Sequence, residues 1–169
     1  LRSRGRHGEL RIGKQTMIRH AEVKDIPRIA EILVFGKRMA YRDIFRDDFV
    51  SFNEIQVLPL ARELEKDPAR LAGMRVYDDG IVKGVLAFDV SGREIMDFYV
   101  EPFFTGQGIG SALLMHLFAE FPGEMRLFVV NANAGAKRFY EKHGFVPTGF
   151  TQKVPGTEQL EAEYCRQGP

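Results

Sequence analysis

Residues 95–114 read IMDFYVEPFFTGQGIGSALL, and the other elements of the chain can be placed outward from them. The first half, through Val100, is an apolar run of β-branched and aromatic residues that stops at Pro102. The second half passes through Gly106, Gly108 and Gly110 into a helical pattern. The reading is therefore strand, glycine turn, helix. A helix start presents up to four backbone N–H groups without intrahelical partners and carries a partial positive charge. Glycines there let a phosphate approach the backbone without meeting a Cβ, so a phosphate-bearing ligand is expected at this turn. Two familiar phosphate loops fail on spacing. A dinucleotide turn needs a third glycine where this chain has Ser111 or Leu113, and a Walker loop needs Gly-Lys-Ser/Thr, which does not occur.

Upstream, the chain reads as a meander. Leu71 to Asp78, Ile81 to Val90 and Glu94 to Val100 are strands joined by Asp79-Gly80 and Ser91-Gly92, and Asp-Gly between apolar runs signals a hairpin. On the third strand, two-residue alternation puts Ile95, Asp97 and Tyr99 on one face and Met96, Phe98 and Val100 on the other. Further back, Met17 to His20 is a short strand. A helix follows with Asp25 as its cap, Pro27 in its first turn and Ile26, Ile29, Ala30 and Leu33 as its stripe. Aromatic and charged residues alternate from Arg38 to Phe49, and a second helix runs from about Phe52 to Lys66, stopped by Asp67-Pro68.

Downstream, Gly110 to Phe121 is a helix, Pro122-Gly123 breaks it, and Glu124 to Val130 is a strand. Residues 131–145 then read NANAGAKRFYEKHGF. Asn133 is a natural N-cap for a short helix carrying Ala136, Phe139 and Tyr140, and His143-Gly144 ends it with the residue suited to a left-handed turn. Val146 to Lys153 and Leu160 to Cys165 close the sheet as a hairpin.

Two stretches, Thr105-Gly106-Gln107-Gly108-Ile109-Gly110 and Asn133 through Phe145, resemble the two motifs of the GNAT superfamily of N-acetyltransferases. The first is Arg/Gln-x-x-Gly-x-Gly/Ala after a strand, and the second is Asn-x-x-Ala-x-x-Phe-Tyr-Glu-Lys-x-Gly-Phe. Asn133, Ala136, Phe139, Tyr140, Glu141, Lys142, Gly144 and Phe145 fill the second, whereas Thr105 stands where the first has Arg or Gln. The likeness extends over Met17 to Arg166. It implies an α/β (α+β) domain, with a mixed, mostly antiparallel sheet of about seven strands flanked by helices on both faces.

The resemblance also implies acetyl-CoA as co-substrate and an amine of a small molecule, protein or peptide as acceptor. Cofactor contacts are expected from backbone at Phe98 and Val100, from the turn Thr105, Gly106, Gln107, Gly108, Ile109, Gly110 and Ser111, and from Asn133 and Tyr140. Asn133 has the alternative of serving as a cap alone. Tyr140 matches the family's general acid toward the departing sulfur, and a phenol stays protonated at neutral pH. The amine must lose a proton before attacking. Asp97 is the candidate base, with Glu94 and Glu101 as alternatives, and a solvated strand residue is the competing reading of Asp97. An N–H near Val100 is the expected oxyanion donor. Tyr41, Arg42 and Phe45 are candidates for the acceptor side, with packing as the alternative role of the two aromatics. With Thr105 in the turn, a catalytically silent acyl-CoA sensor is the second hypothesis.

At 169 residues, 44% hydrophobic and 28% charged, the chain suffices for one domain with a core. Its net charge of +1 divides unevenly. The first 16 residues carry +4, which leaves −3 for the remainder. That leader reads as vector-derived sequence ahead of Met17 or as a native basic arm. It contains no apolar core of the kind a signal peptide needs. A mildly acidic body favours cationic substrates over nucleic acid. Cys165 is the one cysteine, so no intrachain disulfide forms, and no apolar run reaches the roughly 20 residues of a membrane span. A cytoplasmic home and a homodimer are expected. His7, His20, His116 and His143 show no paired ligand spacing, so no metal is expected.

Overall fold

A computed structural model describes residues 17–40, 42, 43, 46 and 56–168. The leader, Tyr41, Phe45 and the expected start of the second helix at residues 52–55 lie outside the described residues. Seven strands form one sheet in the order β1-β2-β3-β4-β5-β7-β6. They are β1 Ile18–His20, β2 Met74–Asp78, β3 Val82–Asp89, β4 Glu94–Val100, β5 Met125–Val130, β6 Val146–Lys153 and β7 Leu160–Arg166. Neighbours pair antiparallel except β4 and β5, which run parallel. The helices are α1 Ile26–Ala40, α2 Val57–Lys66, α3 Pro68–Ala72, α4 Ile109–Glu120 and α5 Ala134–Lys142.

Two apolar layers hold the sheet between them. On one face, Ile29, Leu33, Ala61, Leu64 and Leu71 from α1–α3 cover Met74, Val76, Val85 and Ala87. On the other, Ile109, Leu113, Leu114 and Leu117 of α4 cover Leu86, Phe88, Ile95, Met125, Leu127 and Val129, with Ala136, Phe139 and Tyr140 of α5 packed alongside. The mixed sheet with helices on both faces is as the sequence implied.

Three local expectations are corrected. Leu71 does not open β2; it is buried in α3. Asp67-Pro68 ends α2 and also starts that helix, because Pro68 suits a first helical position and the Asp67 carboxylate accepts from Arg70 N at 2.9 Å. Asp25 does not cap α1 from outside. It sits in a 3-10 turn, Val23–Asp25, accepts from Glu22 N at 2.8 Å, and is held by two nitrogens of Arg19 at 2.7 and 2.9 Å. A charge as buried as Asp25 persists only with such a partner.

The third correction bears on the site. Ala87 pairs with Asp97 while its neighbour Phe88 pairs with Ile95, so Met96 is an extra, bulged residue on β4. Simple alternation therefore fails across it. Ile95 lies with Phe98 and Val100 on the α4 face, and Tyr99 packs with the α1 layer. Asp97, two residues from Tyr99, points the same way as that ring, toward α1 and α3.

Candidate active site

β4 and β5 are partners at one position, Glu94 opposite Arg126, where Arg126 N donates to Arg93 O at 2.9 Å. Beyond it the strands splay, because β5 spends its other edge on β7 along its whole length while β4 stays with β3. A cavity of about 900 Å³ fills the opening, lined by Ile95 to Val100 on one side and Leu127 to Val130 on the other. Glu101 N donates to Lys83 O at 2.8 Å, so odd-numbered residues at this end of β4 face β3. By the ladder's alternation, the N–H and C=O of Phe98 and Val100 face the opening. That is an unpaired strand edge inside a cleft.

The strand then delivers the glycine turn. Pro102–Phe104 forms a 3-10 turn, Gly106 and Gly108 take φ of +76° and +81°, and Gly108 precedes the first residue of α4. A Cβ at either glycine would meet nothing within 4 Å. Their requirement is thus conformational and keeps the approach open; it does not come from packing. Gly110 differs, since a Cβ there would stand 3.3 Å from the Phe139 ring. The helical ladder begins with Ala112 N to Gly108 O at 2.9 Å, so the N–H groups of Ile109, Gly110 and Ser111 precede it. A second cavity of about 760 Å³ lies over this turn and is lined by Gly106, Gly108, Ser111, Asn133, Tyr140 and Lys142, among others. Backbone donors, open glycines and a helix start together suit a pyrophosphate.

Thr105 lines both cavities. Its hydroxyl donates to Pro102 O at 2.9 Å, and the Gln107 amide leans back toward Phe103 O at 3.5 Å. Among the described residues, Lys142 is the one charged side chain lining the cavity over the turn. It had no signal of its own in the sequence beyond its place in the second motif.

Asn133 caps α5 as expected, its side-chain oxygen accepting from Ala136 N at 3.1 Å. That leaves its NH2 group for the cavity it lines. Tyr140 is held edge-on by Phe139 and Phe145, with ring centroids 5.3 and 5.7 Å away, and Phe98 lies at 6.2 Å. Burial pushes its phenol well above the ordinary tyrosine range, and the nearby Tyr99 adds to the rise. The proton on Tyr140 is therefore retained throughout the neutral range.

Asp97 reaches the same opening from the other face, its carboxylate 3.6 Å from Lys37 Nζ of α1 and 3.5 Å from Arg70 Nη2 of α3. Glu94 and Glu101, the alternatives to it, are engaged by Arg126 at 3.2 Å and Arg28 at 2.7 Å. Of the acceptor-side candidates, Arg42 is exposed and is not among the residues lining either cavity, while Tyr41 and Phe45 lie outside the described residues. Gly36, Met39 and Asp43 line the α1 side instead. Gly36 was not among the expected site residues; its one signal in the sequence is an isolated glycine in a helical run. Among the described residues no group of three His, Cys, Asp or Glu side chains is placed to hold a metal ion, and no helix is long and apolar enough to cross a membrane.

Solved structures share this architecture at low identity. An N-acetyltransferase from Staphylococcus aureus Mu50 superposes with a TM-score of 0.72 at 16% identity, covering 88% of this chain and 99% of that one. PaiA N-acetyltransferase from Thermoplasma acidophilum, in complex with coenzyme A, gives 0.65 at 18%, covering 89% and 97%. Ard1 from Thermoplasma volcanium gives 0.66 at 24%, covering 90% and 97%. No curated protein matches the chain in sequence. Residues 38–145 match the Acetyltransferase (GNAT) family, and the chain belongs to that family.

Proposed function

We propose that the protein transfers an acetyl group from acetyl-CoA to a primary amine of a small molecule, protein or peptide by direct attack. The observation that carries this reading is a convergence: the unpaired edge at Phe98 and Val100, the open glycine turn and the Tyr140 phenol line adjoining cavities. The coenzyme A bound to the Thermoplasma acidophilum relative supports the same ligand class.

Acetyl-CoA, when bound, supplies a thioester carbonyl and a thiol leaving group. The chain's part is to bind, orient and move protons. Phe98 and Val100 offer their backbone groups to amides, in the manner of an added strand. Gly106 to Ser111 offer N–H groups to the pyrophosphate, and the Asn133 NH2 is free to donate. Val100 N–H, facing the opening, would donate to the oxyanion as charge develops there. Tyr140 gives its proton to sulfur as the C–S bond breaks and the amide N–C bond forms. Asp97, on the opposite face of β4, is the candidate acceptor of the proton the amine loses.

The Thr105 hydroxyl bound to Pro102 O favours one competing reading, a silent acyl-CoA sensor with a weakened turn. Titration calorimetry with acetyl-CoA, followed by an amine panel on wild type and Tyr140→Phe, separates the two. An enzyme keeps its affinity in Tyr140→Phe and loses turnover by roughly 10²- to 10⁴-fold. A sensor binds and shows no turnover in either protein. Absence of binding at millimolar acetyl-CoA would withdraw both readings.

A further inference from the structure

His143 ends α5 and reaches across to the start of α4. Its Nδ1 lies 2.7 Å from Phe139 O and its Nε2 lies 3.0 Å from the Ser111 hydroxyl oxygen, with its ring 4.5 Å from that of Phe139. Ser111 is in the first turn of α4 and lines the cavity over the glycine turn. Each hydrogen bond has a direction. A carbonyl oxygen only accepts, so Nδ1 carries hydrogen and donates. In neutral imidazole Nε2 then holds a lone pair, and the Ser111 hydroxyl must spend its single proton on it. What Ser111 presents to the cavity in that state is oxygen lone pairs, which repel an anion. When the ring is protonated, Nε2–H donates to the Ser111 oxygen, and the hydroxyl proton becomes free to donate into the cavity.

We propose that His143 is a positioning residue for the anion site, setting which way the Ser111 hydroxyl proton points and so making pyrophosphate binding tighter when the imidazole is protonated. The inference rests on the cofactor reading above. By linkage, binding and protonation must favour one another equally. On the helix that His143 ends, the adjacent charges are Lys142, which lines the cavity, and Glu141, which accepts from Tyr164. From α4 the residues before His116 are uncharged, and His116 is engaged by Glu120 at 3.5 Å. From β7, Arg166 lies against Gly144 and over the Phe118 ring.

Dephospho-CoA is the suitable probe, because its pyrophosphate diester keeps a constant charge across the range in which imidazoles titrate, roughly pH 5 to 8. Calorimetric affinity measured at pH 5.5 and pH 8 should be at least about fivefold tighter at the lower pH in wild type, the low end of ordinary coupling between two sites. His143→Gln and Ser111→Ala should each reduce that ratio below about twofold. Nitrogen NMR of His143 supplies a readout independent of ligand: the neutral ring should be the Nδ1–H tautomer. A flat wild-type ratio with binding intact overturns the proposal and leaves the cofactor reading standing. An undiminished ratio in Ser111→Ala, or an Nε2–H tautomer, also overturns it. Failure of wild type to bind at either pH overturns both.

Discussion

Replacing Gly36 by alanine drives a methyl group into Tyr99. A Cβ at position 36 would stand 2.1, 2.5 and 2.9 Å from Cδ1, Cε1 and Cγ of that ring, whereas carbon atoms rest at about 3.5–4.0 Å. The ring must therefore retreat by roughly 1.5 Å or α1 must lift off the sheet. Tyr99 belongs to a strand in the middle of the sheet and packs against the α1 layer, so neither move is free. Two effects oppose. Alanine in a helix interior gains roughly 1 kcal/mol over glycine, and overpacking a core costs typically about 1–3 kcal/mol. The expected net is a loss of about 1 kcal/mol in Gly36→Ala, read from urea unfolding midpoints at unchanged slope. In a Tyr99→Ala background the clash is gone, and the same substitution should stabilise by about 1 kcal/mol. That change of sign is the diagnostic, since neighbours couple in such a cycle and independent sites do not. If Gly36→Ala stabilises both backgrounds equally, the argument that this glycine exists to admit Tyr99 is wrong.

Arg19 grips Asp25 with two nitrogens and Asp78 with a further contact of 2.8 Å, and both carboxyls are held below their ordinary range, chiefly by the hydrogen bonds to Arg19. Their contribution is thus complete above the unfolded carboxylate range near pH 4 and is lost as pH falls through the lower folded values. Arg19→Met should cost about 2 kcal/mol at neutral pH, below the full toll of a broken buried pair because the guanidinium is 27% exposed. It should also flatten the acid limb of stability followed by circular dichroism. Gly108→Ala should cost about 1–2 kcal/mol through its left-handed φ of +81° and weaken CoA binding in calorimetry at least tenfold. An unchanged affinity would remove the turn from the ligand site. Asp97→Asn separates two roles: as base, its loss should lower turnover steeply with little change in melting temperature, whereas a purely structural clamp on Lys37 and Arg70 should shift melting and leave turnover intact.

The glycine turn and the Asn133 helix were legible because each is encoded within a few neighbouring residues. A positive φ at Gly106 or Gly108, a side-chain cap at Asn133 and a left-handed stop at Gly144 are local requirements, and composition alone announces them. Asp79-Gly80 likewise marked the turn between β2 and β3. By contrast, the bulge at Met96 has no local marker. It moves Ile95 to the opposite face from Asp97, which stays with Tyr99 and meets Lys37 and Arg70, 60 and 27 residues away in sequence.

What the sequence determined by itself was the family, the order of the seven strands and the glycine turn before α4, since all of these follow from patterns spanning no more than one element and its caps. Only the tertiary structure decided how the elements meet: the splay of β4 from β5 after a single paired position, the fit of Tyr99 over Gly36, and the reach of His143 to Ser111. Each of these joins residues brought together by packing the two apolar layers onto one twisted sheet. Contacts of that kind are set by distances between elements, which a one-dimensional pattern does not carry.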